Sequence, residues 1–255
     1  MGALEIRLRG VRDGGGKAFV PYVTGGYPGV DAGLLRRLAE IGPDAIEVGI
    51  PHSDPIMDGG VIQQASAEAL ALGATPASVL AAIREASLEV PVAIMTYVNP
   101  ILRRGQDAFL DDLAGAGVSG VIVPDVPVDE AEALDAAAAV RGIDAALLAA
   151  PGARPERLAW IGNAAHGFVY CVATYGVTGA RDSLAGTARE VVEALRPHTD
   201  LPLLVGVGIG TPAAAAEACR FADGVVVGSA LMRALIDGGP GAFVDLAKSF
   251  RGSIP

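Results

Sequence analysis

The chain has 255 residues, 51% of them hydrophobic and 34 of them glycine, enough for one large apolar core without disulfide or metal staples. Its 19 basic and 29 acidic residues leave a net charge of −10, which repels nucleic acid and anionic membrane surfaces, and no Lys/Arg cluster creates a local exception. No run of about 18 uncharged apolar residues is present to span a membrane. The N-terminal MGALEIRLRG carries charges where a secretory segment is apolar, and Cys171 and Cys219 sit in apolar contexts without metal-ligand spacing. The expectation is a cytoplasmic protein folded as one domain over residues 1–255, with no metal site.

Taken in chain order, short runs rich in β-branched and apolar residues alternate with stretches of helical periodicity. AFVPYV from Ala18 is followed by DAGLLRRLAEI, and AIEVGI from Ala45 by VIQQASAEAL and TPASVLAAIREAS. VAIMTY from Val92 precedes DAFLDDLAGA, and GVIVPD from Gly120 precedes the alanine-rich AEALDAAAAV, read as a surface helix. DAALLA from Asp144 leads to ARPERLAWIG, GFVYCV from Gly167 to AREVVEALRPH, and LPLLVGV from Leu201 to TPAAAAEACRF. DGVVVG from Asp223 closes the series, with a helix beginning at Ser229. Strands alternating with helices imply parallel pairing through right-handed crossovers, and continuous apolar runs suit strands buried on both faces.

Eight such strands in a chain of about 250 residues predict an α/β fold, a single (β/α)8 TIM barrel, with chemistry at the C-terminal ends of the strands. An open doubly wound sheet is the rival. It usually places a G-x-G-x-x-G turn after its first strand, where this chain has VTGGYPG.

Strand ends therefore carry the informative residues. In AIEVGIPHSDPIMDGG the side chains alternate, so Ile46, Val48 and Ile50 face the helices and Glu47 points into the barrel. An ionised carboxylate there costs several kcal/mol unless paired, and no strand core supplies a lysine or arginine. Glu47 is thus a candidate catalytic base. Asp54 and Asp58 follow in a Pro/Gly-rich loop; each could be a turn former or helix cap, or a second carboxylate brought over the mouth. Tyr97, Asn99, Asp125 and Tyr170 end other strands, and either tyrosine could simply be packed in the core. Three glycine-rich segments, GVTGARDS, GVGIGTP and VVGSAL, end strands six to eight. Their backbone N–H groups and the helix start at Ser229 suit a phosphate monoester. Tyr22, Ile62, Met95, Leu148, Val172 and Val207 flank the cavity, so the rest of the ligand is expected to be of low polarity.

The order and spacing of AFVPYVTGGYPG, EVGIPHSDPIMDGGVIQ, PDVPVDE, GVTGAR, VGVGI and VGSAL resemble the tryptophan synthase alpha chain family across most of the chain. The resemblance implies a lyase cleaving indole-3-glycerol phosphate to indole and glyceraldehyde 3-phosphate. In that reading Glu47 handles protons at the glycerol hydroxyl and indole C3, Asp58 engages the indole N–H, and Tyr170 lies beside the glutamate. Thr178, Gly179, Gly208, Gly228 and Ser229 would cradle the phosphate, while Tyr22, Ile62, Met95, Tyr97, Leu148, Val172 and Val207 line the indole pocket. The resemblance further implies a PLP-dependent beta chain partner in an αββα heterotetramer, contacted or regulated through Asp54, Pro55, Asn99 and Asp125. PLP would belong to that partner and this chain would need no cofactor. His52, Tyr27, Met57, Gly60 and Val207 depart from the residues usual in the family; those around Tyr27, His52 and Met57 motivate an alternative, a stand-alone lyase that releases indole without a beta chain.

Overall fold

The computed structural model describes residues 1–172, 181–206 and 208–255, with 181–185 described by backbone alone. The predicted runs form β1 (Ala18–Thr24), β2 (Ile46–Gly49), β3 (Val92–Met95), β4 (Gly120–Ile122), β5 (Asp144–Ala149), β6 (Val169–Cys171), β7 (Leu203–Val205) and β8 (Gly224–Val227). They close in chain order into a parallel barrel. β8 returns to β1 with Ala18 opposite Gly224 and Pro21 opposite Val227. Six of the strands stop short of the apolar runs at their C-terminal ends, where the chain leaves the ladder to build the mouth; β5 ends with its run and β1 extends one residue past its own, to Thr24.

The helices are α1 (Ala3–Asp13), α2 (Ala32–Ala39), α3 (Gly60–Ala71), α4 (Pro76–Ala86), α5 (Val98–Arg104), α6 (Gln106–Gly115), α7 (Glu132–Val140), α8 (Pro155–Ala164), α9 (Arg181–Leu195), α10 (Pro212–Ala218) and α11 (Ser229–Ser253). Local chemistry sets several starts: the Asp31 carboxylate accepts the Leu34 N–H, and Thr75 and Ser78 form a capping box around Pro76 at the first position of α4. No single helix among the described residues is long and apolar enough to cross a membrane.

Two apolar layers result. Ile46, Val48 and Ile50 lie in the outer layer between strands and helices, as alternation along β2 requires. The interior layer contains Val20, Ala45, Ala93, Ile122, Ala146, Phe168, Leu204 and Val226. Leu4 and Leu8 of α1 join it from the N-terminal end of the barrel, which α1 plugs. The plug was not predicted, since two leucines four residues apart among charges are a weak periodic signal. Asp144 holds it by accepting the Gly2 and Glu5 N–H groups at 2.7 and 2.9 Å. Glu5 in turn accepts the Gly167 N–H at 3.1 Å.

Candidate active site

Register places Glu47 between Tyr22 of β1 and Ala93 of β3, facing the interior. It is fully buried, and among the described residues neither carboxyl oxygen has a hydrogen-bond partner. Burial, and secondarily the charge of Asp58, push its pKa up to about 8, so at neutral pH the side chain holds its proton. Room beside it is kept by glycine. A Cβ on Gly49 would collide with the Tyr22 hydroxyl, and one on Gly206 with the Tyr170 ring. Tyr22 shares a hydrogen bond with the Thr24 hydroxyl at 3.2 Å. Tyr170, paired with Leu148 in register, has its phenol pushed up by burial and then by the charge of Glu47. The glutamate therefore stands within a collar of tyrosines.

Asp58 lies on the loop between β2 and α3. It does not cap α3: Gly59 occupies that position, and no side chain bonds the helix end. The carboxylate instead accepts the Tyr97 hydroxyl at 3.0 Å, while that hydroxyl accepts the Met57 N–H at 3.0 Å. Burial raises Asp58 to about 6 and outweighs the opposing effects of the Tyr97 hydrogen bond and of His52. The two acids are thus separated. At neutral pH one is a carboxylic acid and the other a carboxylate, the division of labour that acid–base chemistry needs.

Tyr97, expected to line an apolar pocket, is buried and bonded to Asp58. Its hydroxyl links two loops that lie some forty positions apart in the chain, a connection the sequence does not display. The His52 ring stacks on Tyr97 with centroids 4.6 Å apart. Asp54 is exposed and donates its N–H to His52 Nδ1 at 3.1 Å. The Pro55 carbonyl accepts the Asp58 N–H at 3.0 Å. Asn99 is exposed on α5. Asp125 accepts the Val98 N–H through both oxygens, at 3.0 and 3.2 Å, which caps the first turn of α5.

Beside the acids, at the ends of β4, β5 and β6, opens a cavity of about 580 Å3. Leu148, Val172, Met57, Pro124 and Asp125 are among its walls, but neither Glu47 nor Asp58 is. Met95 packs with the interior layer, and Ile62 is buried in the layer that also holds Tyr22. At the opposite side of the mouth, α11 begins at Ser229, exposed, with Gly228 before it. Gly208 has φ +87°, a conformation that favours glycine. Thr178, Gly179 and Val207 lie outside the described residues. Among the described residues no cluster of His, Cys, Asp or Glu is placed to hold a metal ion.

The family model for the tryptophan synthase alpha chain matches residues 8–248. The chain belongs to the tryptophan synthase alpha chain family. A tryptophan synthase alpha chain from Microcystis aeruginosa is 43% identical over 245 residues, covering 94% of this chain and 93% of that one. Another, from Halorhodospira halophila, is 43% identical and covers 100% of this chain and 94% of its own length. Among solved structures, Mycobacterium tuberculosis tryptophan synthase superposes with a TM-score of 0.91 at 40% identity, covering 99% of this chain and 98% of that chain. The tryptophan synthase subunit alpha of Legionella pneumophila superposes with a TM-score of 0.89 at 32% identity, covering 99% and 98%. These likenesses run through the barrel from end to end, so family membership extends to the strands that carry Glu47 and Tyr170 and the loop that carries Asp58.

Proposed function

We propose that this chain is the alpha subunit of tryptophan synthase and cleaves indole-3-glycerol phosphate to indole and glyceraldehyde 3-phosphate. The observation that carries the reading is the pair of acids: a buried Glu47, without a hydrogen-bond partner among the described residues, that keeps its proton, and an ionised Asp58 held by Tyr97. With the substrate seated, neutral Glu47 donates its proton to indole C3 while Asp58 stabilises the positive charge that develops at the ring nitrogen. The glutamate, now a carboxylate, takes the proton of the hydroxyl on the carbon joined to the ring. That carbon becomes the aldehyde, the C–C bond breaks, and its electron pair restores the indole. The net change is one proton carried from oxygen to carbon, with Glu47 returned to its starting state.

In this reading Tyr170 packs beside Glu47, and Tyr22, Ile62, Met95, Tyr97, Leu148, Val172 and Val207 surround the ring. Gly208, Gly228 and Ser229, with Thr178 and Gly179, receive the phosphate through backbone N–H groups and the N-terminus of α11. The reaction needs no cofactor in this chain. Neither lysine is near the mouth to form a Schiff base: Lys17 bonds the Ala222 carbonyl at 2.7 Å at the opposite end of the barrel, and Lys248 lies 3.8 Å from Asp245 on α11. A PLP-dependent beta chain, docked over the loops of Asp54, Pro55, Asn99 and Asp125, would take up the indole in the cytoplasm.

The test is indole release from indole-3-glycerol phosphate by the purified chain, with and without a tryptophan synthase beta chain. Slow release accelerated by the beta chain supports the subunit. Release indifferent to it would favour a free-standing lyase, and none in either condition would sink the assignment.

A further inference from the structure

The loop that carries Asp58 is anchored by the Gln63 side chain, which donates to the Asp58 carbonyl at 2.9 Å, by the Tyr97 hydroxyl, and by two contacts that meet at His52. This side chain is half-buried beside the first turn of the loop, and its Nδ1 accepts the Asp54 N–H at 3.1 Å. That bond fixes the plane of the ring. The ring then lies on Tyr97, with centroids 4.6 Å apart and planes inclined by 28°, a separation at which offset stacking is attractive. Tyr97 is the group through which Asp58 is held: among the described residues its hydroxyl is the only hydrogen-bond donor to the Asp58 carboxylate. The same hydroxyl accepts the Met57 N–H, so it binds the loop backbone and the loop carboxylate at once. The Tyr97 ring is buried, and His52 covers one of its faces.

We propose that His52 is a positioning residue that holds Asp58 in place through Tyr97. It positions Asp58 with its ring face, and its Nδ1 contact with the loop backbone sets the orientation of that face. The proposal deepens the lyase reading and rests on Asp58 as the group that meets the indole nitrogen. Its consequence is a relay of three side chains, none of them adjacent in sequence: the ring of His52, the hydroxyl of Tyr97 and the carboxylate of Asp58. Displacing the first should move the last without removing any group that touches substrate, and misplacement of such a group by about 1 Å costs on the order of a hundredfold in rate.

The experiment compares His52→Ala, His52→Phe and the unaltered chain by kcat and KM for indole release, by thermal midpoint, and by carbon-13 NMR titration of the Asp58 carboxyl. His52→Ala should lower kcat about tenfold with KM for indole-3-glycerol phosphate within about twofold, because orientation in the transition state is lost rather than ground-state binding. Its Asp58 should titrate higher than in His52→Phe, since both variants lack the imidazole but only the alanine variant loses the support of Tyr97. His52→Phe, which keeps a ring face, should recover kcat to within about threefold of the unaltered chain. An alanine variant equal to the unaltered chain in kcat, or a phenylalanine variant as damaged as alanine, would overturn the proposal. So would identical Asp58 titrations in the two variants. If the unaltered chain released no indole, the lyase reading would fall, while the Asp58 titrations would still decide whether His52 holds the relay.

Discussion

The barrel buries carboxylates at both ends and treats them in opposite ways. At the N-terminal floor, Asp44 accepts from Arg7, Arg251 and the Phe19 N–H, and Asp223 accepts from Arg196 and the Leu203 N–H. Asp144 and Glu5 receive backbone N–H groups that lock α1 against the strands. At the C-terminal mouth, among the described residues, Glu47 has no partner and the Asp58 carboxylate has one phenol. The floor spends its charges on hydrogen bonds that join distant segments. The mouth leaves them unspent, which costs stability and yields acids with pKa values of about 8 and 6 near working pH.

This contrast can be broken most sharply by Glu47→Gln. Indole release should fall by about a thousandfold or more, because the proton carrier is gone. The thermal midpoint should hold or rise, because no interaction of the native state is lost; a marked fall would mean Glu47 has a structural partner. The reverse signature belongs to the floor. Asp44→Ala should cost about 2–3 kcal/mol in urea unfolding, less than a fully buried pair because both arginines are partly in solvent, with turnover per folded molecule unchanged.

The pH dependence sharpens the same point. kcat/KM of the isolated chain should rise as Asp58 ionises through about 6 and fall as Glu47 loses its proton through about 8, giving a bell with limbs near those values. Stability has a related sign. Both folded-state values lie above the unfolded ones, so between about pH 4 and 8 the native state binds more protons, and the mouth's contribution to stability declines as pH rises through that window. Tyr97→Phe should cut kcat by about tenfold and move the lower limb upward, since Asp58 loses the hydrogen bond that restrains its pKa. An unmoved lower limb would mean that limb does not report Asp58.

The smallest expected effect comes from a carboxylate that belongs to neither end. Asp135 on α7 is buried against β4 and β5 with its pKa raised by burial to about 6, and no hydrogen-bond donor to it is described. Asp135→Leu should stabilise the chain by about 1 kcal/mol at pH 7, and the gain should shrink as pH falls below about 6 and the aspartate becomes neutral. A destabilised variant would show that the carboxylate is satisfied in solution.

Some of this was legible in the sequence, for definite reasons. The alternation of Glu47 with Ile46 and Val48 fixed which way the glutamate points, because side-chain direction along a strand is a local property. The eight apolar runs and the helical stretches between them determined the barrel, and Gly228-Ser229 marked the start of α11. The turn chemistry of the β2 loop left Asp58 open between a helix cap and a site carboxylate. In the structure Asp58 does not cap α3, and its carboxylate instead accepts the hydroxyl of Tyr97, which follows β3. The AEALDAAAAV run looked like a surface helix, yet Asp135 within it is buried, because the depth of a helix face depends on the strands beneath it. The plug formed by α1, the arginines around Asp44 and Asp223, and the stack of His52 on Tyr97 are likewise meetings of segments distant in the chain. Periodicity and turn chemistry act within a few residues and can be read from the sequence. Which donor reaches which carboxylate depends on closure of the barrel, and that the tertiary structure alone decided.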